Sequence, residues 1–252
     1  MIKDLEFFLK KIFISQKYLL KKRLRRAIKK NYEKELSIID KFRDKNKSAV
    51  DVGVYRGVYS YKLAQEFKHV YAYEPNPLIY PFLEKNLTKI IKNLTLSNYA
   101  LSNSNGTVNL KIPNRSKSIF KNNVEELYKL GCATIHEKNK FKNYKSIEVN
   151  KMMLDENLKD INIGFIKIDV EGHEKEVIEG AKNLIIKYKP ILLVEIEERH
   201  NKKPVLETIN FINKIGYSAF YCENNKLNSI DKLKNFDKEI NFYFIPIKWL
   251  LF

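Results

Sequence analysis

From residue 48 onward, the chain alternates between two hydrophobic periods. Short apolar runs at 48–52, 70–74, 94–101, 163–168 and 190–196 read as strands, the later ones continuous enough to be buried on both faces. Between and after them, apolar residues at helical spacing predict helices over 57–67, 76–92, 152–158, 173–187 and 204–215. Pro75 and Pro77 suit the start of the second helix. The Asn105-Gly106 turn precedes an alternating run at 107–112, and 146–149 resumes regular structure. Residues 216–221 and 240–245 look like a closing strand pair joined without a clear helix, so that one runs antiparallel. Residues 113–145 show no period, and a stretch this long suits a lid or an ordered insertion. Before residue 48, Leu5, Leu9, Ile12, Leu20, Leu24 and Ile28 recur at helical spacing and predict one or two helices over 2–42.

Repeated strand-helix units imply an α/β fold with a mostly parallel sheet and helices on both faces. The division expected is an N-terminal basic helical segment, 1–47, followed by one domain, 48–252.

Candidate chemistry sits where strands end. The first strand runs into Asp51-Val-Gly53-Val-Tyr-Arg-Gly57, and the second closes on Glu74. Glycines at 53 and 57 permit a tight turn and close approach to a ligand. A carboxylate ending the second strand can accept hydrogen bonds from both ribose hydroxyls. The loop is not the G-x-G-x-x-G of dinucleotide sites, and Asp51 would repel a pyrophosphate. A cationic, phosphate-free nucleoside such as S-adenosylmethionine suits it.

A second cluster, Lys167-Ile-Asp169-Val-Glu171-Gly172-His173-Glu174, lies where a buried strand meets a helix. Ligands of open α/β sheets bind at such strand ends, which would put Asp51, Glu74 and Asp169 on one edge. Three readings stand: helix capping by these residues, a divalent metal held by oxygens and an imidazole, for which no further ligands are evident, or positioning and deprotonation of an acceptor. His173 titrates closest to neutrality, and Glu171 or Asp169 could orient it or take the proton.

The net charge of +17 is uneven: residues 1–47 hold 16 Lys/Arg and 6 Asp/Glu, and seven of the ten residues from Lys21 to Lys30 are basic. Only seven of the 47 basic residues are Arg, which argues against specific nucleic-acid recognition by the planar guanidinium fork. The basic helix is either packed on the domain with a solvated face, or an interfacial helix drawn to anionic lipid with Phe7, Phe8 and Phe13 in the headgroups. Cys132 and Cys222 give neither a disulfide framework nor a zinc pattern, which fits a reducing, cytoplasmic setting. No run approaches the ~18 apolar residues of a membrane span, and the N-terminus lacks the continuous apolar core of a secretory signal.

From about residue 46 to 200 the chain resembles the FkbM-type S-adenosylmethionine-dependent methyltransferases. The matching segments are VDVGVYRGVYS from Val50, YAYEPNP ending at Pro77, NYALS ending at Ser102, FIKIDVEGHEKEVIEGA ending at Ala181 and KPILLVEIEE ending at Glu198. The resemblance implies a class I methyltransferase (Rossmann-like) fold with seven strands, the last antiparallel. It also implies O-methylation of sugars, glycans or related hydroxylated metabolites. Carried over residue by residue, Asp51, Gly53, Tyr55 and Gly57 would form the methionine loop, Glu74 would hold the ribose, and Asn98 to Ala100 would lie near the adenine. Asp169, Glu171 and His173 would face the acceptor as catalytic residues. Val54-Tyr55 replace the family's usual Ala-Asn. Beside the enzyme stand a non-catalytic cofactor-binding scaffold and a nucleic-acid methyltransferase. The Asn/Asp-Pro-Pro-Tyr/Phe element for amino-group acceptors is absent. Glycan precursors are assembled at the inner membrane face, where a basic helix would have a use.

Overall fold

A computed structural model describes residues 15–113, 133–136, 143–197, 204–233, 236 and 239–250. The expected helix residues Leu5, Leu9 and Ile12, together with Phe7, Phe8, Phe13, Cys132 and most of 113–145, lie outside the described residues.

The described N-terminal part is helix α1 (Gln16–Lys29), started by Ser15, whose side chain accepts from Tyr18 N, and followed by 3-10 turns at Lys34–Ser37 and Ile39–Phe42. Strand β1 (Ser48–Val52), helix α2 (Val58–Glu66), strand β2 (Val70–Tyr73), helix α3 (Tyr80–Ile90) and strand β3 (Leu94–Ser97) then form two parallel strand-helix-strand units. The strand expected over 94–101 is two: Asn98 Nδ2 donates to Glu74 O at 2.7 Å and breaks the run, and Ala100–Leu101 (β4) joins another sheet. That small sheet has the order β4-β6-β5, from β5 (Gly106–Pro113) and β6 (Tyr144–Met152).

A single helical turn α4 (Leu154–Asn157) precedes β7 (Ile163–Ile168). The helix expected over 173–187 is divided at Gly180 into α5 (Glu174–Glu179) and α6 (Lys182–Tyr188). A Cβ on Gly180 would stand 1.9 Å from Ser102 O, so main chain meets main chain there. Strand β8 (Ile191–Glu195), helix α7 (Val205–Asn213), β9 (Tyr217–Glu223), β10 (Lys226–Ser229) and β11 (Asn241–Pro246) complete the described chain.

The main sheet runs β10-β9-β11-β8-β7-β1-β2-β3. It has eight strands rather than the expected seven, because β10 adds an edge by a hairpin on β9. β3, β2, β1, β7 and β8 are parallel, and β11 is antiparallel to both neighbours, as expected of the closing strand. Helices α1 to α3 cover one face, with Leu20, Leu24, Leu63, Phe82 and Leu87 packed among Ala49, Ala72, Phe165 and Leu193. Helices α4 to α7 cover the other through Leu154, Val177, Ile185 and Ile209. Burying each of Leu20 and Leu24 contributes roughly 1.5–3 kcal/mol. The apolar side of α1 is therefore committed to the core, while Lys17, Lys22, Arg25, Arg26, Lys29 and Lys30 are exposed. Among the described residues, no helix is long and apolar enough to cross a membrane.

Candidate active site

A cavity of about 510 Å³ opens at the carboxyl ends of β1, β2, β7 and β8, roofed on one side by β4, β5 and residues 133–135. Its size falls in the range of small-molecule sites. Of the residues expected to act here, Gly53, Tyr55, Glu74, Ala100, Asp169 and Glu171 line it.

The loop after β1 is shaped by main-chain contacts. Gly53 has φ +86, and a Cβ there would lie 1.9 Å from Asp169 O. Gly57 has φ +77, and its Cβ would collide with the Leu87 side chain. Gly53 is thus required by the neighbouring main chain, and Gly57 by its left-handed backbone. Tyr55 sits at φ +48, a region where an aromatic residue is strained and an Asn is tolerated. Glu74 holds it there: Tyr55 N donates to Oε2 at 2.8 Å, and Asn76 N donates to Oε1 at 3.0 Å. Each carboxylate oxygen keeps a lone pair for the cavity. Burial raises Glu74 to about 7, against these two hydrogen bonds, which favour the charged form.

Asp51 lies one layer behind. It is buried in a row across the sheet, flanked by Ala72 and Lys167, that continues to Leu193 and Tyr243. Ser60 Oγ donates to its Oδ2 at 2.5 Å, while Oδ1 is buried with no hydrogen-bond partner. Burial raises Asp51 to about 7. Asn76 supplies the converse: it is fully buried and lines the cavity, its Oδ1 accepts from Leu78 N, and its Nδ2 has no partner. The orphaned Asn76 donor, in the cavity wall, fits a ligand that brings a polar acceptor, as the ribose of S-adenosylmethionine does. Asn98, expected near the adenine, instead turns its carboxamide to the main chain of Glu74 and is not part of the wall.

The opposite wall is built on Lys167. This buried side chain interrupts the apolar strand β7, with Nζ 3.9 Å from both Asp169 Oδ2 and Glu195 Oε2, 3.3 Å from Asn241 Oδ1, and over the Tyr59 ring at 5.0 Å. Burial alone would lower its pKa, but the carboxylates of Asp169, Glu195, Glu33 and Asp51 outweigh that and raise it. Asp169 is raised by burial, against Lys167 and with repulsion from Glu171. Glu195 is raised to about 8 by burial and then by Asp169. One lysine thus faces two close carboxyls, and burial holds both above their ordinary range.

Glu171 (φ +57) and Gly172 (φ +105) form the sharp turn expected here, and Thr134 Oγ1 donates to Glu171 O at 2.8 Å. The start of α5 has no side-chain cap bond; Glu174 accepts from Gly172 N at 2.8 Å and so steadies the turn before the helix. His173 does not reach the cavity. Its Nε2 lies 3.0 Å from Ser102 Oγ and its Nδ1 3.6 Å from Glu176 Oε2, so the ring braces α5 against the end of β4. Burial lowers its pKa. The sequence places it facing the acceptor; in the structure it lies outside the cavity wall. Among the described residues, no group of three or more His, Cys, Asp or Glu is arranged to hold a metal.

Sequence reasoning missed Glu33, Asn76, Glu195, Glu197 and Asn241, all in the wall. Glu195 and Glu197 end a buried parallel strand, the same signal that singled out Asp169. Glu33 carried none.

The family model described as a methyltransferase FkbM domain matches residues 51–219. A solved structure of a methyltransferase FkbM from Methylobacillus flagellatus KT is similar at 17% identity and TM-score 0.52, over 79% of this chain and 44% of that one. This chain therefore spans less than half of that protein's length. An rRNA methylase from Streptococcus thermophilus aligns at 14% identity and TM-score 0.47, covering 84% of this chain and 94% of its own. A SAM-dependent O-methyltransferase from Thermotoga maritima aligns at 11% and 0.43, covering 84% and 63%. Identities this low speak to the fold alone. No curated protein matches the sequence.

Proposed function

The chain belongs to the FkbM methyltransferase family, and from that premise we propose that it transfers the methyl group of S-adenosylmethionine to a hydroxyl of a sugar, glycan or related metabolite. One observation carries this reading: a single cavity joins the Glu74–Asn76 wall to the Asp169–Glu195 pair. The first wall offers groups for a nucleoside and the second a proton acceptor.

When bound, S-adenosylmethionine supplies an electrophilic methyl group, so that an O–CH3 bond forms in line as the S–CH3 bond breaks and sulfur keeps the electron pair. The chain's own residues do the rest. Glu74 and Asn76 hold the ribose side, and Asp51, one layer behind them, adds negative charge that favours the cationic donor. The Asp169–Glu195 pair takes the hydroxyl proton, and Lys167 beside it compensates the charge that remains. Glu195, poised at about 8, suits a proton acceptor near neutral pH. Glu171 faces the acceptor from the tight turn. A wall of carboxylates disfavours a polyanionic acceptor such as nucleic acid.

The exposed cationic side of α1 supports a peripheral contact with an anionic membrane at the cytoplasmic face, made by charge rather than by insertion. Co-sedimentation with anionic but not neutral vesicles at low salt is the expected result; equal retention by both removes that contact.

Calorimetry with S-adenosylmethionine tests the main proposal. The parent protein should bind, and Glu74→Ala should bind more weakly by about 1–3 kcal/mol, from lost charged hydrogen bonds. A parent that gives no heat and no thermal shift would be a scaffold of this fold instead.

A further inference from the structure

The main sheet has a second edge, opposite the cavity, where its parallel strands begin. Lys47 immediately precedes β1, and Lys68, Lys189 and Lys214 lie in the connections that enter β2, β8 and β9. Strand β11 reaches this edge from the other direction, because it is antiparallel to its neighbours, and runs into a 3-10 turn at Ile247–Trp249. The connections touch one another. Ile247 N donates to Gly216 O at 3.0 Å, Lys68 N donates to Lys47 O at 2.8 Å, and Lys47 Nζ lies over the Trp249 ring at 5.5 Å.

Folding leaves an apolar group in water here: Ile247, Trp249 and Leu250 are 43%, 43% and 46% exposed. Lysines surround it, with Lys45, Lys68, Lys214 and Lys248 exposed and Lys47 and Lys189 half-buried. Lys47 pairs with Asp44 at 3.4 Å, whereas Lys45 and Lys189 donate to the main-chain oxygens of Gln65 and Ile215. The surface is therefore cationic and apolar at once. Three apolar side chains are too few for the core of a stable protein interface, which takes about 800 Å² from each partner. They suit a bilayer surface. A tryptophan settles at headgroup level, with its ring buried and its N–H wet. Lysine stems lie along apolar surface while their ammonium groups reach anionic headgroups.

We infer that this edge of the sheet is a membrane-docking surface, on which Trp249 and Leu250 enter the headgroup layer of an anionic bilayer and the surrounding lysines meet its phosphates. It is separate from the contact made by α1, which involves charge without insertion, and it does not depend on the reaction. It also orients the molecule. Strand β1 is 5 residues long, so the strand ends at which the cavity opens stand roughly 17 Å from this edge. The docked protein keeps its cavity clear of the bilayer, and ligands enter from the aqueous side.

Trp249 is the only tryptophan of the chain, so its fluorescence reports this surface alone. The full chain is titrated with vesicles of phosphatidylcholine containing phosphatidylglycerol, with vesicles of phosphatidylcholine alone, and with polyglutamate. The anionic vesicles alone should move the emission to shorter wavelength, and brominated lipid in them should quench it. Leu250→Asn keeps the reporter and should weaken partitioning about tenfold. Lys248→Gln should weaken it about fivefold. Both variants should keep the parent's melting temperature, because both side chains are exposed. Binding to anionic vesicles without an emission shift would leave α1 as the contact and overturn the inference. An equal shift with neutral vesicles, a shift with polyglutamate, no binding at all, or a Leu250→Asn variant that partitions like the parent would overturn it as well.

Discussion

The two walls of the cavity are built by opposite means. The wall we assign to the cofactor comes from residues 51–76, one strand-helix-strand unit with its following turn, and main-chain atoms fix it: Gly53 lies against Asp169 O, and Glu74 is clamped by two backbone N–H groups. The wall we assign to the acceptor is gathered from the turn after α1, the ends of β7 and β8 and the start of β11, and is organised by the charge of one buried lysine. Both walls carry a raised carboxyl, Glu74 at about 7 and Glu195 at about 8, but the first should fail under changes of shape. The second should tolerate changes of shape and respond to protons.

Gly53→Ala strikes the first wall hardest. The added methyl meets a carbonyl oxygen just past the end of β7, at a φ that L side chains rarely adopt. A loss of about 3 kcal/mol in stability is expected from overpacking together with the left-handed backbone. S-adenosylmethionine binding should fall with it. An unchanged denaturant midpoint would mean that the loop is not locked against Asp169, and the contrast between the walls would dissolve.

Glu195→Gln sharpens the other side. Glu195 has an ordinary value of 4.5 and is raised to about 8 in the folded chain. A carboxyl raised in this way holds its proton when folded and loses it when unfolded. Its contribution is fully present below 4.5 and is lost as pH rises through about 8. The amide mimics the protonated form and carries no such penalty. Relative to the parent, Glu195→Gln should therefore gain stability progressively as pH rises from about 5 to about 8.5, read as the difference of melting temperatures at each pH. A difference that stays flat would show that Glu195 titrates normally and that Lys167 already satisfies both carboxylates.

The same contrast explains what the sequence could disclose. Asp51, Gly53 and Glu74 are legible because their geometry is set within one unit of about two dozen residues. Even there the reason for Gly53 is hidden, since its neighbour is a carbonyl from the end of β7. Helix α3 starts at Tyr80 rather than 76 because Asn76 and Leu78 close a side-chain turn first, a local competition that an apolar period does not report. Lys167 stands out as a charge in a buried strand, but its partners arrive from β8 and β11, far along the chain. His173 misleads because an imidazole that titrates near neutrality can point anywhere, and the start of α5 turns this ring to Ser102. Glu33 is invisible, because no motif marks a residue placed by a 3-10 turn on distant strands.

The smallest effect concerns the one visible departure from the family loop. Val54 is buried in the core, and Tyr55 takes the left-handed conformation that an Asn would adopt more easily. What the loop gives Glu74, however, is the Tyr55 main-chain N–H, which any residue but proline supplies. Tyr55→Asn should relieve backbone strain of about 1 kcal/mol and lose a cation–π contact with Arg56 of about 0.5–1 kcal/mol. The two nearly cancel, so stability should move by less than about 1 kcal/mol. Affinity for S-adenosylmethionine should stay within about threefold of the parent by calorimetry. A tenfold loss would place the aromatic ring itself against the bound nucleoside, and would give the first wall a side-chain component that its main-chain construction does not require.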